Sequence, residues 1–197
     1  MNPPSPPRVV LASTSRYRAE LLRRLMADFE PCRPDVDETP RPGEPPAMRA
    51  ERLAIAKAEA VAAGRRDALV IGSDQVAELD GDLLRKPGSI ANACAQLAAS
   101  SGHAVAFHTA VCVVDTRNGR RTSRIDRTQV QFRTLSSAEI ERYVAREHPL
   151  DCAGSFKCEG LGISLFERID SSDPTALIGL PLIALAQLLR AAGRSLP

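Results

Sequence analysis

The spacing of apolar and polar residues predicts strands and helices that alternate along the first half of the chain. Short apolar runs at residues 8–12 and 68–71 are typical of strands that are buried on both faces. Leucines at helical spacing predict a helix that begins at Arg16, and a second helix is predicted from about residue 47 to residue 63. With a further strand at residues 29–33, this order is typical of an α/β fold.

The second half of the chain predicts a long antiparallel ribbon. Residues 103–115 and 122–132 have the composition of strands, and Asn118-Gly119 between them is a strong hairpin signal. Ser136 and Glu139 form a capping box, which predicts the start of a helix. The remaining predicted elements are helices at 90–99, 136–146 and 182–192 and a strand at 163–169.

The stretch at residues 69–88 combines a strand, a carboxylate, a tight turn and a lysine. Gly72-Ser73 is expected to end the strand, which places Asp74 just past its carboxyl end, where ligands bind in α/β sheets. Asp80-Gly81 favours a two-residue hairpin turn, and a hairpin brings Lys86 back towards Asp74. In this position Asp74 is able to hold a divalent metal, and Lys86 is able to bind a polyphosphate. An acidic turn followed by a solvated lysine is the alternative.

A hydroxyl-rich turn, Ser13-Thr14-Ser15, separates the first strand from the first helix. The free N–H groups and the helix dipole make such a turn a candidate phosphate cradle. Arg16 and Arg18 support this interpretation, because cations are disfavoured in a first helical turn unless an anion compensates them. The alternative is that Ser15 only caps the helix and that both arginines point to water.

Three further polar features are candidates for the same site. The acids within residues 35–38 mark either a solvated loop or a site for a hard metal. Lys57 lies beside an apolar helix face, from which it either snorkels to solvent or reaches the site. The glycine-rich loop at residues 151–162 permits a ligand to approach its backbone, although it lacks the GxGxxG spacing, and it carries Lys157 and Glu159.

Length and composition predict one globular domain over residues 1–197, with a flexible Pro-rich tail at residues 1–7. Hydrophobic residues make up 44% of the chain and charged residues 25%. The formal net charge of +2 argues against a dedicated nucleic-acid binder, so a small-molecule partner is expected. The N-terminus lacks the pattern of a secretory signal, and the apolar stretch at 176–189 is too short to span a membrane.

The cysteines and histidines predict neither a disulfide framework nor a metal cluster. The five cysteines contain no CxxC pair, and their odd number favours a reduced, cytoplasmic protein. His103 and His108 are five residues apart on one predicted strand and therefore on opposite faces, which makes a shared metal unfavourable.

Several blocks of sequence together resemble the Maf-like nucleoside triphosphate pyrophosphatases. The blocks occur in the order of that family and extend over nearly the whole chain. They are LASTSRYRAELL at 11–22, DVDE at 35–38, RLAIAKA at 52–58, IGSDQV at 71–76, GDLLRKP at 81–87, AGSFKCEGLG at 153–162 and IGLPL at 178–182. The resemblance implies a mixed, elongated, twisted sheet with flanking helices, two lobes around a central cleft, a divalent metal (Mg²⁺ or Mn²⁺) and a homodimer.

Departures from the broad family pattern resemble the subgroup that acts on 7-methyl-GTP. Gln75 stands where the family has threonine, and Tyr17 stands where it has arginine. Lys157, Glu159 and Cys152 also match that subgroup. The implied substrate is therefore 7-methyl-GTP, with dTTP, UTP or another non-standard triphosphate as the alternative. A non-catalytic nucleotide-binding regulator of septum formation is the second alternative.

The resemblance also assigns roles in cleavage between the α and β phosphates. Asp74 is the implied proton acceptor for the attacking water, and Glu38 and Asp74 are the implied metal ligands. The implied phosphate-binding residues are Ser13, Ser15, Arg18, Lys57 and Lys86. Tyr17, Gln75 and Glu159 are the implied specificity residues: Tyr17 by stacking on a cationic base and Glu159 by pairing with it. The alternative for Glu159 is that it only neutralises Lys157.

Overall fold

The computed structural model describes residues 6–196, and its centre is a seven-stranded mixed sheet. The strands are β1 (Arg8–Ala12), β2 (Glu30–Cys32), β3 (Ala68–Leu79), β4 (Asp82–Leu84), β5 (Ala104–Asp115), β6 (Arg120–Phe132) and β7 (Phe166–Asp170). The helices are α1 (Arg16–Arg23), α2 (Pro46–Ala62), α3 (Ile90–Ser100), α4 (Ser137–Glu147) and α5 (Leu182–Ala191). The strand order is β2-β1-β3-β5-β6-β7, with β4 paired to β3.

This architecture confirms the predicted α/β class with a mixed sheet. Strands β2 and β3 run parallel to β1, and the other pairings are antiparallel. The single domain over residues 1–197 stays a prediction, and most of the Pro-rich tail predicted at 1–7 lies outside the described residues. Within residues 6–196, the structure contains no helix long and apolar enough to cross a bilayer.

Three local predictions are confirmed because their signals are local. The Asp80-Gly81 turn joins β3 to β4 with φ angles of 50° and 92°. The Ser136 hydroxyl accepts the N–H of Glu139, and the Glu139 carboxylate accepts the N–H of Ser136, which completes the capping box of α4. Ser15 caps α1 through the N–H of Arg18 at 3.4 Å.

Strand β3 does not end at Gly72-Ser73, so the prediction that Asp74 lies past a strand end is wrong. The strand continues to Leu79 and stays paired with β5 through residues 72–78, and Gly72 and Ser73 serve tertiary packing instead. A Cβ atom on Gly72 would lie 2.2 Å from the carbonyl oxygen of Ala54 on α2, so only glycine permits this close approach. The Ser73 hydroxyl is buried and donates to the carbonyl oxygen of Ala110 at 2.8 Å.

The sheet has a gap beside β3. Strand β1 pairs with β3 only at residues 68–71, and β4 pairs with it only at residues 77–79. Residues 72–76 of β3 therefore have β5 on one side and no described strand on the other. Asp74 lies in the middle of this gap, next to the carboxyl end of β1. A cavity opens at this gap.

Helices cover both faces of the sheet and form three apolar clusters. Helix α2 packs its small residues, including Ala54 and Ala58, on one face. On the other face, α1 and α5 form a second cluster and α3 and α4 a third. The third cluster holds four phenylalanines in edge-to-face contact with centroid distances from 4.8 to 5.7 Å: Phe107, Phe132, Phe156 and Phe166.

The glycine-rich loop differs from the prediction at its C-terminal end. Strand β7 begins at Phe166 and not at residue 163, because residues Leu161–Leu165 form a 3-10 turn. Gly162 donates its N–H to the carbonyl oxygen of Lys157 at 3.0 Å, and a Cβ atom on Gly162 would lie 2.3 Å from that oxygen. The loop therefore folds back on itself before the strand starts.

His103 lies just before β5 and is exposed, so it is not on the strand.

Candidate active site

A cavity of about 1050 Å³ lies at the gap in the sheet. It is bounded by the carboxyl end of β1, the start of α1, the face of α2, the unpaired part of β3 and the glycine-rich loop. Every residue to which the sequence assigned a role lines this cavity. These residues are Ser13, Ser15, Tyr17, Arg18, Glu38, Lys57, Asp74, Gln75, Lys86 and Glu159.

Lys57 joins the two candidate metal ligands. Its ammonium group lies 2.6 Å from Asp74 Oδ1 and 2.8 Å from Glu38 Oε1. The side chains of Lys57 and Asp74 are 7% and 10% exposed, so Lys57 does not snorkel to solvent. Burial opposes ionisation of Glu38, but Lys57 outweighs it, with help from Arg18 and Lys86, and lowers the Glu38 pKa.

The same carboxylates have the chemistry of a magnesium or manganese site. Glu38 Oε2 and Asp74 Oδ2 have no hydrogen-bond partner among residues 6–196, and both are hard oxygen donors. The described residues contain no group of three or more His, Cys, Asp or Glu side chains that would enclose a metal. Mg²⁺ is commonly held by one or two carboxylates together with water and substrate phosphates. The residues present fit that mode of binding.

Arg18 is fixed by its inner nitrogen and has its outer nitrogens available. Arg18 Nε donates to the carbonyl oxygen of Gly179 at 2.9 Å, while its two terminal nitrogens have no partner in the described part of the chain. Burial lowers the pKa of Arg18, and the charges of Asp74 and Glu38 act in the opposite direction. An arginine held in this way presents a fork for a phosphate.

The hydroxyl-rich turn offers fewer free N–H groups than the sequence predicted. The N–H of Ser13 donates to the carbonyl oxygen of Leu11 at 2.8 Å, and the N–H of Ser15 donates to Ser13 Oγ at 3.1 Å. Of the three residues in the turn, only Thr14 has an N–H without a partner among the described residues. Ser15 caps α1, as the alternative held, but Arg18 does not point to water, because its Nε donates to the carbonyl oxygen of Gly179. Phosphate binding by the N–H groups of Ser13 and Ser15 would require these bonds to be exchanged.

Tyr17 is held in the cavity wall by charged neighbours. Its hydroxyl accepts from Arg16 Nη2 at 2.8 Å and lies 3.4 Å from a carboxylate oxygen of Asp151. The guanidinium carbon of Arg16 is 4.8 Å from the ring centroid, so one face of the ring already has a cation–π contact. Burial raises the pKa of Tyr17 to about 12, so the phenol is neutral at pH 7.

Gln75 holds the cavity wall with the nitrogen of its amide. Nε2 lies 3.0 Å from the carbonyl oxygen of Ala176 and 3.1 Å from that of Leu177. The wall is in turn fixed by Asp173, which is buried and accepts the N–H of Ile183 in the first turn of α5 at 2.7 Å. Gln75 Oε1 has no partner within residues 6–196, so the group that remains for a ligand is an acceptor.

Glu159 does not neutralise Lys157. The Lys157 ammonium donates to the carbonyl oxygen of Glu147 at 2.6 Å, and no ion pair joins Lys157 to Glu159 in the described structure. The Glu159 carboxylate lines the cavity and accepts only the thiol of Cys158, at 3.6 Å. Its charge is therefore available to a ligand.

Several charged residues of this cavity received no role from the sequence. They are Arg33, Arg49, Arg85 and Asp151, and all of them line it. Asp151 begins the glycine-rich loop that the sequence had already indicated, so its position was a usable signal. Arg85 lies beside Lys86 in the block at 81–87 but received no role. Arg33 and Arg49 lie outside the motif blocks, and only the tertiary structure brings them to the site.

Comparison with known proteins identifies the class to which this fold and site belong. The family model described as Maf-like protein matches residues 8–192. The chain belongs to the Maf-like protein family.

Close relatives carry a more specific name. A 7-methyl-GTP pyrophosphatase from Xanthomonas oryzae pv. oryzae (strain MAFF 311018) is 60% identical over 97% of this chain and 100% of its own length. One from Aromatoleum aromaticum is 56% identical over 96% of this chain and 98% of its own length. A solved nucleoside-triphosphatase / dITP/XTP pyrophosphatase from Mycobacterium abscessus is 18% identical, with a TM-score of 0.42 and coverage of 94% of this chain and 97% of its own.

Proposed function

We propose that this protein is a nucleoside triphosphate pyrophosphatase that cleaves 7-methyl-GTP between the α and β phosphates, giving the nucleoside monophosphate and pyrophosphate. The observation that carries this proposal is one cavity in which Lys57, Glu38 and Asp74 form a charged cluster beside Arg18 and Lys86. The names of relatives that are 56–60% identical supply the substrate.

The proposed chemistry depends on charge neutralisation and on the placement of one water molecule. Arg18 and Lys86 bind phosphate oxygens, and Asp74 Oδ2 orients the attacking water and accepts its proton. Lys57 holds Asp74 in position by its contact with Oδ1. A divalent metal, Mg²⁺ or Mn²⁺, held by Glu38 and Asp74 would supply further positive charge to the phosphates when bound.

The proposed base site lies around Tyr17, Gln75 and Glu159. The methylated purine is cationic, so stacking on the other face of the Tyr17 ring gains a cation–π contribution of about 0.5–2 kcal/mol that an unmethylated purine lacks. A charge-assisted contact with Glu159 adds about 1.5–3 kcal/mol. Together these terms predict a preference for 7-methyl-GTP over GTP of roughly thirtyfold to a few thousandfold.

The test of this function is kcat/KM, measured as pyrophosphate release, for 7-methyl-GTP, GTP, dTTP, UTP and CTP. We expect the wild type to prefer 7-methyl-GTP. Glu159→Gln keeps the shape of the side chain and removes its charge, so it is expected to reduce the preference over GTP by about tenfold or more. Tyr17→Ala is expected to reduce it by a smaller factor.

Two results would change these assignments. A wild type that prefers dTTP or UTP would contradict the 7-methyl-GTP proposal and leave the pyrophosphatase proposal standing. If no triphosphate releases pyrophosphate, the enzyme proposal fails and a nucleotide-binding regulator takes its place. Equal losses for all triphosphates in Glu159→Gln would show that Glu159 does not contact the base.

The cysteines of the cavity are expected to be dispensable for catalysis. Burial raises the pKa of Cys152 and of Cys158 to about 12, so both are protonated thiols at pH 7 and are not nucleophiles. Cys152→Ser is expected to keep kcat/KM within about threefold of the wild type. Cys32→Ser, a change outside the cavity, is the control. Loss of turnover in folded Cys152→Ser alone would require a covalent mechanism.

We further propose that the protein acts in the cytoplasm as a homodimer, with a nucleotide and not a nucleic acid or a membrane as its partner. The family resemblance supports the dimer, and the near-neutral charge supports the small ligand.

A further inference from the structure

Arg49 is a half-buried cation of the cavity that the proposed chemistry does not yet use. Its Nη2 donates to the backbone carbonyl oxygen of Glu38 at 2.9 Å. Its Nε is buried and has no hydrogen-bond partner, and it is the only buried side-chain nitrogen or oxygen in this state among the described residues. Leaving a buried donor unpaired is unfavourable, so Arg49 gains from a ligand that supplies an acceptor to this nitrogen.

Helix α2 directs Arg49 to the same surface as Lys57. Arg49, Leu53 and Lys57 follow one another at intervals of four residues, which places them on one face of the helix, and all three line the cavity. The eight residues from Arg49 to Lys57 correspond to about 12 Å along the helix axis. Arg49 therefore lies about two helical turns from the Lys57, Asp74 and Glu38 cluster, and a long side chain at this separation is able to reach a phosphate other than the one next to that cluster.

We propose that Arg49 is a further polyphosphate-binding residue, which binds the distal phosphates and the pyrophosphate that they become. This inference rests on the proposed function for the identity of that leaving group. The planar guanidinium matches the phosphate oxygens as a fork, and binding would pair its free Nε. Because Arg49 also holds the backbone at Glu38, the contact links the distal phosphates to the loop that carries this carboxylate.

The competing explanation is that Arg49 only attaches the loop after β2 to α2. Arg52 provides a matched control, because it lies one turn further along the same helix and also contacts this loop. Its Nη2 donates to the carbonyl oxygen of Thr39 at 3.3 Å, and its guanidinium pairs with Glu44. Arg52 does not line the cavity. A role in loop attachment therefore predicts similar effects for both arginines, whereas phosphate binding predicts an effect for Arg49 alone.

The experiment is calorimetric titration of pyrophosphate into the wild type, Arg49→Gln and Arg52→Gln, with EDTA present to remove the metal. We expect Arg49→Gln to raise the Kd for pyrophosphate by at least about tenfold, since a charge-assisted hydrogen bond is lost. Arg52→Gln is expected to stay within about threefold of the wild type. Should Arg49→Gln fail to fold, Arg49→Met, which keeps the apolar stem, is measured in its place.

Equal losses in both variants, an unchanged Kd in folded Arg49→Gln, or a wild type that does not bind pyrophosphate would each overturn the inference. The readout is binding and not turnover, so it is separate from the test of the proposed function. A wild type that binds pyrophosphate through Arg49 but releases none from any triphosphate would contradict the proposed function and leave the phosphate contact standing.

Discussion

Asp74→Asn is expected to lower kcat/KM for pyrophosphate release by at least about a hundredfold while leaving the fold intact. The change keeps the size of the side chain but removes the charge and the proton-accepting oxygen. The Asp74 side chain is 10% exposed and is held by Lys57, and its second oxygen has no described partner, so it is the group placed to act on a water molecule. Steady-state kinetics with 7-methyl-GTP, together with circular dichroism, measure the effect.

The control for Asp74→Asn is Asp80→Asn. Asp80 lies in the turn after the same strand with a φ angle of 50°, a conformation that asparagine also adopts. We expect this variant to retain the kinetics of the wild type. Wild-type rates in Asp74→Asn would refute the role of Asp74 as proton acceptor and would move that role to another group of the cavity.

Gly72→Ala is expected to destabilise the protein and to reduce its activity at the same time. A Cβ atom at this position would lie 2.2 Å from the carbonyl oxygen of Ala54 and 2.6 Å from the backbone nitrogen of Ala58, so α2 has to move away from β3. Overpacking of this kind typically lowers the free energy of unfolding by about 1–3 kcal/mol. The movement also separates Lys57 on α2 from Asp74 on β3, so the same change is expected to lower kcat/KM.

Urea denaturation and pyrophosphate release measure the two effects of Gly72→Ala. Gly64→Ala is the matched control, because Gly64 follows α2 and a Cβ atom there would have no neighbour within 4 Å. We expect the control to keep both the stability and the kcat/KM of the wild type. If Gly72→Ala is as stable and as active as the control, the close approach of α2 to β3 is not what positions Lys57.

The sequence by itself determined the features that depend on neighbouring residues. The capping box at Ser136 and the hairpin turns at Asp80-Gly81 and Asn118-Gly119 form as predicted, because capping and turn conformation are set within a few residues. The motif blocks also led to the candidate site residues, all of which line one cavity, although their roles stay predictions.

The contacts between distant segments were decided only by the tertiary structure. The sequence does not distinguish a glycine that ends a strand from a glycine that lets a helix pack closely on the strand. The continuation of β3 through Gly72 was therefore not predicted. Lys57 was predicted as a phosphate clamp, but in the fold its ammonium contacts Asp74 and Glu38. Arg49 lies in none of the motif blocks. In each case the outcome depends on the distance between segments that are far apart in the chain. That distance is set by how α2 packs on the sheet, so local sequence patterns do not encode it.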